Sequence, residues 1–513
     1  MGQFLAGVDV GTTGTRCVIF DLTGAMIGGA YREYGATYPQ PGWVEQDGEQ
    51  VIAQTIEACQ AAVAQAGVSA QEIASVGFST QGSVTGPVDR QGQLLRPLFS
   101  WQDTRTGQEI GDLGRLIAPD AYYAMTGVPL APNLVMPKLL WMRRHEPALY
   151  ARTYKFTQMQ DVILKAFGAE DYYTDLPDMS FYGVWDVREA RWQAHLLELF
   201  QVTPDVFGTP TPAGTQVGTV SHAVAAKTGL AVGTPLCVGG WDQHCALVGM
   251  GGIEPGMATV TLGTAGVAML VVATPVPGFG GMLMIHHAVQ GLWTVAGASL
   301  AAAGAYRWFR DTIGTLERER ASQGGGDAYD ALNALAAQAP PGSRGLLFLP
   351  YLATAGTPYW NVKARAAFIG LSLTHGRAEL TRAVMEGVAL EMRDIMTRWW
   401  QQGMAVKALR LGGGATRSRP WTQIQADVYR CPVQTLQVEE STVLGAALLG
   451  GVGAGVFRSI QEGVECMVHV TGEITPQPEH RTIYDDMYTA YVSAYEGLSQ
   501  HVFDKLAAIQ TAT

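Results

Sequence analysis

G-V-D-V-G-T-T-G-T-R-C-V-I-F-D, at residues 7–21, is the stretch from which the rest of the chain can be interpreted. Two apolar runs, 4–10 and 16–20, flank a short segment of glycine and threonine. Apolar runs of this length joined by a short glycine-containing segment predict a β-hairpin. Because glycine lets a ligand approach the backbone, the turn can present N–H groups and hydroxyls to a phosphate.

Asp9 interrupts the first apolar run just before the turn. A buried carboxylate is costly unless it is paired or holds a cation. An aspartate beside a phosphate-binding turn suits Mg²⁺ bound through water. These residues also fit an ordinary hairpin whose Asp9 faces solvent, so both interpretations stay open at this point.

A second hairpin of the same kind follows about half a chain later, where residues 259–270 read T-V-T-L-G-T-A-G-V-A-M-L. Each hairpin is followed by an apolar run that ends in glycines, P-L-C-V-G-G-W-D at 235–242 and A-L-R-L-G-G-G-A at 408–415. We interpret these two runs as counterparts. Similar elements in the same order predict two related α/β halves that face one cleft. We place the halves at 1–250 and 251–513, and assign the extra length of the first to an insertion at about 106–230.

Composition limits the possible partners. A chain of 513 residues with 47% hydrophobic and 15% charged residues fits a compact protein of two or three domains. The net charge of −11 argues against nucleic acid and anionic membrane surfaces as partners. Six cysteines without a C-x-x-C motif favour a reduced, cytoplasmic protein. We expect no signal peptide and no membrane span, because no apolar run is long enough.

Two polar clusters follow predicted strands. The run 73–78 leads into Gln81, Gly82 and Ser83, and a second strand leads into S-W-Q-D-T-R at 100–105, which includes Trp101 and Asp103. Ligands bind at strand ends in α/β sheets, so both clusters are candidates for a pocket, although plain surface loops would look the same.

In the second half, residues 315–327 are predicted to form a polar loop.

Phosphoryl transfer needs donors around the phosphates, a divalent cation and a base for the acceptor hydroxyl. The two Gly-Thr turns can supply donors, and Asp9 can organise the metal. Asp242 follows a Gly-Gly strand end, where a carboxylate can reach a cleft, and we predict that it is the base. Its alternative role is to cap the next helix. No G-x-x-x-x-G-K-[ST] motif occurs, which excludes a P-loop kinase.

Taken together, the motifs resemble those of the FGGY carbohydrate kinases over nearly the whole chain. The matching segments are D-V-G-T-T-G-T-R at 9–16, G-W-V-E-Q-D at 42–47, G-G-W-D-Q at 239–243, L-G-T at 262–264, G-L-S-L-T-H-G at 370–376, L-G-G-G-A at 411–415 and Q-I-Q-A-D at 423–427.

The resemblance implies two actin-like ATPase (ribonuclease H-like) domains around a central cleft, the first binding a sugar and the second ATP with Mg²⁺. It implies Asp242 as catalytic base and Asp9 at the metal. The implied nucleotide contacts are Thr12, Thr13, Gly14, Arg16, Gly263, Thr264, Gly304, Gly413, Gly414 and Ser418. The implied sugar contacts are Gln81, Gly82, Ser83, Trp101, Asp103, Asp242 and Gln243.

The residues after Gln81 leave the sugar open. Xylulose kinases usually carry Gln-Met-His-Gly here and glycerol kinases Gln-Arg-Glu-Thr, whereas this chain has Gly82 and Ser83. We expect a ketopentose such as D-xylulose, with ribulose, glycerol, erythritol or a hexulose as alternatives, and we expect Met and His at 82–83 to raise the use of xylulose. A non-kinase actin-like ATPase and an inactive sugar-binding regulator are the other classes. The oligomeric state is open, and a homodimer is compatible with the sequence.

Overall fold

The computed structural model describes residues 2–276 and 280–512. The strands are β1 Phe4–Val10, β2 Gly14–Asp21, β3 Met26–Glu33, β4 Glu45–Gln46, β5 Ile73–Thr80, β6 Thr85–Val88, β7 Leu98–Phe99, β8 Lys155–Gln158, β9 Tyr173–Asp175, β10 Trp185–Asp186, β11 Arg191–Trp192, β12 Thr209–Thr211, β13 Gln216–Thr219, β14 Pro235–Trp241, β15 Met257–Leu262, β16 Gly266–Val272, β17 Leu283–His286, β18 Trp293–Ser299, β19 Leu347–Leu349, β20 Ala367–Ile369, β21 Ala408–Gly412, β22 Val433–Leu436 and β23 Val470–Ile474.

The α-helices are α1 Gly48–Ala66, α2 Gly107–Leu116, α3 Pro119–Thr126, α4 Val135–His145, α5 Pro147–Arg152, α6 Met159–Phe167, α7 Leu176–Met179, α8 Ala194–Phe200, α9 His222–Thr228, α10 Asp242–Gly249, α11 Ala302–Thr312, α12 Thr315–Ser322, α13 Ala328–Ala336, α14 Arg377–Gln401, α15 Arg419–Tyr429, α16 Ser441–Gly453, α17 Ile460–Met467, α18 Arg481–His501 and α19 Phe503–Ala512. Within the described residues, none of these helices is long and apolar enough to cross a membrane.

The first sheet has the strand order β13-β14-β5-β1-β2-β3. The predicted hairpin is its centre, since β1 and β2 pair antiparallel and the Gly11 N–H donates to Gly14 O across the turn at 3.0 Å. Strand β5 runs parallel to β1, and β14 runs parallel to β5. Parallel neighbours end at the same edge of a sheet, so three carboxyl ends meet there.

The second sheet repeats this plan, with the order β17-β18-β16-β15-β21-β22-β23. Strands β15 and β16 form the second hairpin, and β21 and β22 follow parallel on its other side. The expected pair of α/β domains of the actin-like type is therefore confirmed.

One predicted correspondence between the halves is wrong. Strand β21 lies next to the hairpin strand β15, which is the place that β5 has next to β1. The counterpart of β14 is β22, because each lies one strand farther out. The glycine-ended pattern lies on the outer parallel strand β14 in the first half and on the inner parallel strand β21 in the second, so the pattern alone could not give the correspondence. The long connection of the second half consequently precedes β21, whereas that of the first half follows β5.

The stretch 106–230 is not one inserted unit. Helix α6 belongs to the core of the first sheet, where the ring of Phe167 packs edge-on against Phe78 at 5.0 Å. Strand β13 is an edge strand of that sheet. Helices α2, α4 and α8 instead bury Leu113, Trp141 and Phe200 in a separate cluster. The insertion therefore divides between the first core and an additional layer.

Helix α16 comes late in the chain but packs on the first sheet. Leu444 and Leu448 share a buried cluster with Leu5 and Phe20 of β1 and β2. The approach is close, because a Cβ atom built on Gly77 of β5 would lie 1.9 Å from Ala446 O. The domain boundary at residue 250 stays a prediction. Helix α16 follows this boundary in the chain, yet it packs on the first sheet, which precedes it.

The segment 315–327, predicted as a loop, begins with helix α12. This helix has almost no apolar stripe to mark it in the sequence. It is held by its neighbours instead, since Glu317 pairs with Arg377 of α14 and Arg318 Nη1 donates to Asp311 O at 3.2 Å.

Candidate active site

The carboxyl ends of β1, β5 and β14 bring three candidate residues to one edge of the first sheet. Asp9 is opposite Ser79 in the register of β1 and β5, and Thr80 is opposite Trp241 in the register of β5 and β14. Asp9, the residues after Thr80 and the residues after Trp241 are therefore neighbours in space although they are far apart in the chain.

Asp9 is half-buried, and Ser79 Oγ donates to its Oδ1 at 2.9 Å. Burial raises the pKa of Asp9 to about 6, and the charge of Glu440 raises it further, while the Ser79 hydrogen bond and Arg16 lower it. A carboxylate with a raised pKa gains from a nearby cation. Asp9 is therefore not a fully solvent-facing side chain, and its role as a cation ligand stays a prediction.

Asp242 is the first residue of α10, and Trp241 occupies the N-cap position, so the predicted alternative role as N-cap residue does not hold. Burial raises the pKa of Asp242 to about 7, the charge of Asp9 adds to the effect, and hydrogen bonds with Gln243 lower it. A carboxyl group with this pKa is partly ionised at neutral pH and can accept a proton there.

Hydrogen bonds to two carbonyl oxygens and one hydroxyl group hold the first hairpin turn in place. Gln46 Nε2 donates to Thr12 O at 2.9 Å, and Tyr34 N donates to Thr13 O at 3.1 Å. Trp101 Nε1 donates to Thr12 Oγ1 at 3.1 Å. Within residues 2–276 and 280–512, the N–H groups of Thr12 and Thr13 have no acceptor, so they remain available to a ligand.

Two other predicted nucleotide residues of the first half have partners in the protein. A Cβ atom on Gly14 would lie 2.5 Å from Arg32 O, so this glycine is required where β2 and β3 pack together. The Arg16 guanidinium forms an ion pair with Glu440 and lies 5.5 Å from the ring centroid of Tyr31. Sequence reasoning missed Glu440, because it lies 424 positions from Arg16 and no motif marks it.

Gly82 and Ser83 lie in a tightly packed segment. A Cβ atom on Gly82 would lie 2.7 Å from Trp241 Cδ1, 2.8 Å from Asp178 Oδ1 and 2.9 Å from Phe181 Cε2. Ser83 has a φ of 60°, and Lys138 Nζ donates to its carbonyl oxygen at 2.8 Å. Both residues are therefore restricted by packing, which the expected exchange to Met and His did not take into account.

Asp103 is fully buried in an ion-pair network. Its Oδ2 accepts from Val44 N at 2.7 Å and from Arg105 Nη2 at 2.7 Å, and Oδ1 accepts from Arg105 Nε at 2.9 Å. Arg105 also pairs with Glu45 at 2.8 Å. In this structure Asp103 positions the loop, and its assignment as a sugar contact stays a prediction.

Sequence reasoning also missed Asp178. This carboxyl group is fully buried, lies against Gly82, and is one of the buried groups without a hydrogen-bond partner within the described ranges. Burial raises its pKa, and the charge of Asp175 adds to the effect. The sequence signal is weak, since T-D-L-P-D at 174–178 looks like a helix start, and Asp175 does cap α7.

The second half holds a cavity of about 490 Å³ beside the second hairpin turn. The cavity includes most of the predicted nucleotide residues of this half. Its lining consists of Leu262, Gly263, Thr264, Ala303, Gly304, Tyr306, Arg307, Asp327, Tyr329, Asp330, Asn333, Gly414, Ala415, Arg417, Ser418 and Trp421.

Two glycines and one serine in or beside this cavity have different structural roles. The Gly304 N–H donates to Thr264 O at 3.1 Å, and a Cβ on Gly304 would lie 2.7 Å from that oxygen. Ser418 caps α15 by accepting from Trp421 N at 3.3 Å. Gly413, which is not part of the lining, has a φ of 84° and packs against Leu262.

The described residues contain no cluster of three or more His, Cys, Asp or Glu that could hold a metal ion. Mg²⁺ needs no such cluster when it is bound by one or two carboxylates together with water and phosphate oxygens. Asp9, with one oxygen on Ser79 and a raised pKa, fits that type of ligand.

Comparison with known proteins identifies relatives over nearly the whole chain. Residues 4–249 match the N-terminal domain of the FGGY family of carbohydrate kinases, and residues 258–454 match its C-terminal domain. A xylulose kinase of Staphylococcus epidermidis is 26% identical over 505 residues, covering 98% of this chain and 99% of the relative. A glycerol kinase of Citrifermentans bemidjiense is 32% identical over 470 residues, covering 89% and 91%. The crystal structure of xylulose kinase from Rhodospirillum rubrum matches with a TM-score of 0.85 and 29% identity, covering 97% and 99%.

Proposed function

Since the chain belongs to the FGGY family of carbohydrate kinases, and is thus a sugar kinase that uses ATP, we propose that it phosphorylates a hydroxyl of a ketopentose such as D-xylulose. The observation that carries the proposal is the position of Asp242. It follows β14 at the sheet edge that Asp9 shares, and its pKa of about 7 suits proton transfer at neutral pH.

The proposed division of roles follows the two halves. Asp242 accepts the proton of the attacking hydroxyl. The N–H groups of Thr12 and Thr13 face the phosphates from the first half, while Thr264 lies beside the cavity that takes the nucleoside. Asp9 would hold Mg²⁺, which when bound neutralises charge on the phosphate oxygens. A general base of this kind contributes about 10²- to 10⁴-fold to the rate.

The choice of D-xylulose is supported by relatives named as xylulose kinases, which match over 98% and 96% of this chain. Glycerol is the second candidate, because relatives named as glycerol kinases reach 32% and 30% identity.

The test is an ADP-release assay with ATP and Mg²⁺ across D-xylulose, ribulose, hexuloses, erythritol and glycerol. We expect D-xylulose to give the highest kcat/KM. A preference for glycerol would favour the second candidate. Absence of turnover with every acceptor, in a protein that still binds ATP, would contradict the proposed substrate class.

A further inference from the structure

A chain of four hydrogen-bonded residues connects the predicted phosphate turn with the predicted sugar pocket. Trp101 Nε1 donates to Thr12 Oγ1 at 3.1 Å, and Gln46 Nε2 donates to Thr12 O at 2.9 Å. Gln81 Nε2 in turn donates to Gln46 Oε1 at 2.8 Å. We call Trp101, Thr12, Gln46 and Gln81 the amide relay. Gln46 is fully buried and Gln81 is 2% exposed, so neither side-chain amide is accessible to solvent.

The direction of each hydrogen bond in the amide relay follows from the chemistry of its ends. The main-chain oxygen of Thr12 can only accept, so Gln46 must turn its NH₂ group towards it. The carbonyl oxygen of Gln46 then faces Gln81, which must present its own NH₂ group. The atom of Gln81 that remains is Oε1, and this buried oxygen has no partner within residues 2–276 and 280–512.

We propose that Gln46 is a positioning residue that forces Gln81 to present a hydrogen-bond acceptor to the sugar. The site then selects a sugar that has a hydroxyl group able to donate a hydrogen bond at this position. The inference rests on the proposed function and concerns how the sugar pocket selects the sugar that is phosphorylated. A buried amide oxygen left without a partner is costly, so a ligand that supplies the missing donor is favoured over one that cannot. The main-chain N–H of Gln81 donates to Val10 O at 2.9 Å, which places Gln81 at the ends of β1 and β5, beside the other predicted sugar contacts.

The same reasoning determines which hydrogen bonds the hydroxyl group of Thr12 accepts and donates. An indole N–H is a donor only, so Thr12 Oγ1 accepts from Trp101, and the hydroxyl proton is left to donate. A donor at this position matches a phosphate oxygen. One buried side chain, Gln46, thus contacts both a residue that faces the phosphate side and a residue that faces the sugar side.

The experiment measures binding of D-xylulose to the nucleotide-free protein by calorimetry, together with two analogue series in which one hydroxyl at a time is replaced by hydrogen or by fluorine. Neither replacement can donate. We expect one position at which both analogues bind about 10- to 100-fold more weakly than the parent sugar. In Gln46→Leu the amide of Gln81 can rotate and offer its NH₂ group to fluorine. The fluoro analogue should then recover at least about fivefold relative to the deoxy analogue at that position.

Two further variants make the result decisive. Thr55→Val removes another buried polar group near the first hairpin, where Thr55 Oγ1 donates to Val51 O at 2.8 Å, and should keep the wild-type pattern. Gln81→Leu removes the oxygen itself and should bind the parent sugar as weakly as the deoxy analogue, which tests the role of Gln81 independently of whether Gln46→Leu folds.

Equal binding of all analogues to the wild type would overturn the role of Gln81, and an unchanged fluoro-to-deoxy ratio in folded Gln46→Leu would overturn the role of Gln46. Failure of D-xylulose to bind would contradict the proposed substrate instead. Both series would then be made from the acceptor that the ADP-release panel identifies, with the same outcomes deciding the inference.

Discussion

Replacing Gly82 by alanine should disturb the protein more than a change of one methyl group suggests. The added Cβ would lie 2.7 to 2.9 Å from atoms of Trp241, Asp178 and Phe181. Carbon atoms pack at about 3.5 Å or more, so the neighbours must move by roughly half an ångström or more. Phe181 and the fully buried Asp178 have little room to move. Overpacking of this kind costs about 1–3 kcal/mol of unfolding free energy.

The same substitution should lower activity, because Trp241 immediately precedes Asp242. A displacement of the base by about 1 Å can cost up to about 100-fold in rate. The assays are urea unfolding and kcat/KM for the preferred sugar. Gly35→Ala is the control, since nothing lies within 4 Å of a Cβ at that exposed position.

If Gly82→Ala unfolds at the wild-type urea concentration and keeps wild-type kcat/KM, the packing argument is refuted. The expectation that Met and His at 82–83 raise the use of xylulose falls under the same argument. A methionine is larger than an alanine, and Ser83 has a φ of 60° that a histidine would have to adopt while Lys138 holds its carbonyl oxygen. We now expect the double variant to lose stability and activity with every sugar.

Three other changes test the site. Asp242→Asn should keep ATP binding, measured by calorimetry, but lose about 10²- to 10⁴-fold in kcat, and turnover within tenfold of wild type would remove Asp242 as base. Because the ionised form of Asp242 is the base and its pKa is about 7, kcat/KM should rise about tenfold between pH 6 and pH 8. A flat profile would contradict this, and Asp9→Asn should move the midpoint to lower pH, since the charge of Asp9 helps to raise that pKa. Gly304→Ala should weaken ATP binding by about tenfold, because its Cβ would lie 2.7 Å from Thr264 O, and an unchanged dissociation constant with ATP would place the nucleotide elsewhere.

The two hairpins and the strand-end aspartate were predictable because their signals are local. Alternation of apolar residues with a Gly-Thr turn needs no knowledge of distant residues, and the turns at Thr12 and Thr264 were found in this way. The function of individual glycines was not predictable. Gly14 and Gly413 were both predicted to contact the nucleotide, yet in the structure each is required by a close contact with neighbouring backbone.

Partners that are distant in the chain also escaped the sequence analysis. Glu440 is paired with Arg16, and Gln46 joins Thr12 to Gln81, but nothing in the sequence near them announces either contact. The equivalence of the parallel strands was mistaken for a related reason. A glycine after a buried strand indicates that the end of that strand approaches another group closely. Only the hydrogen-bonded order of the strands shows which position in the sheet the strand occupies.

The packing of α16 on the first sheet has a consequence for biosynthesis. On a ribosome, the strands β1, β5 and β14 are complete when the chain reaches about residue 250, yet the helix that covers them begins at Ser441. At 5–20 residues per second, the intervening stretch of about 190 residues takes roughly 10–40 s to translate. During that time the apolar face around Leu5 and Phe20 lacks its cover. The nascent first half therefore exposes this apolar face until the late helix arrives, although it contains every strand of its own sheet.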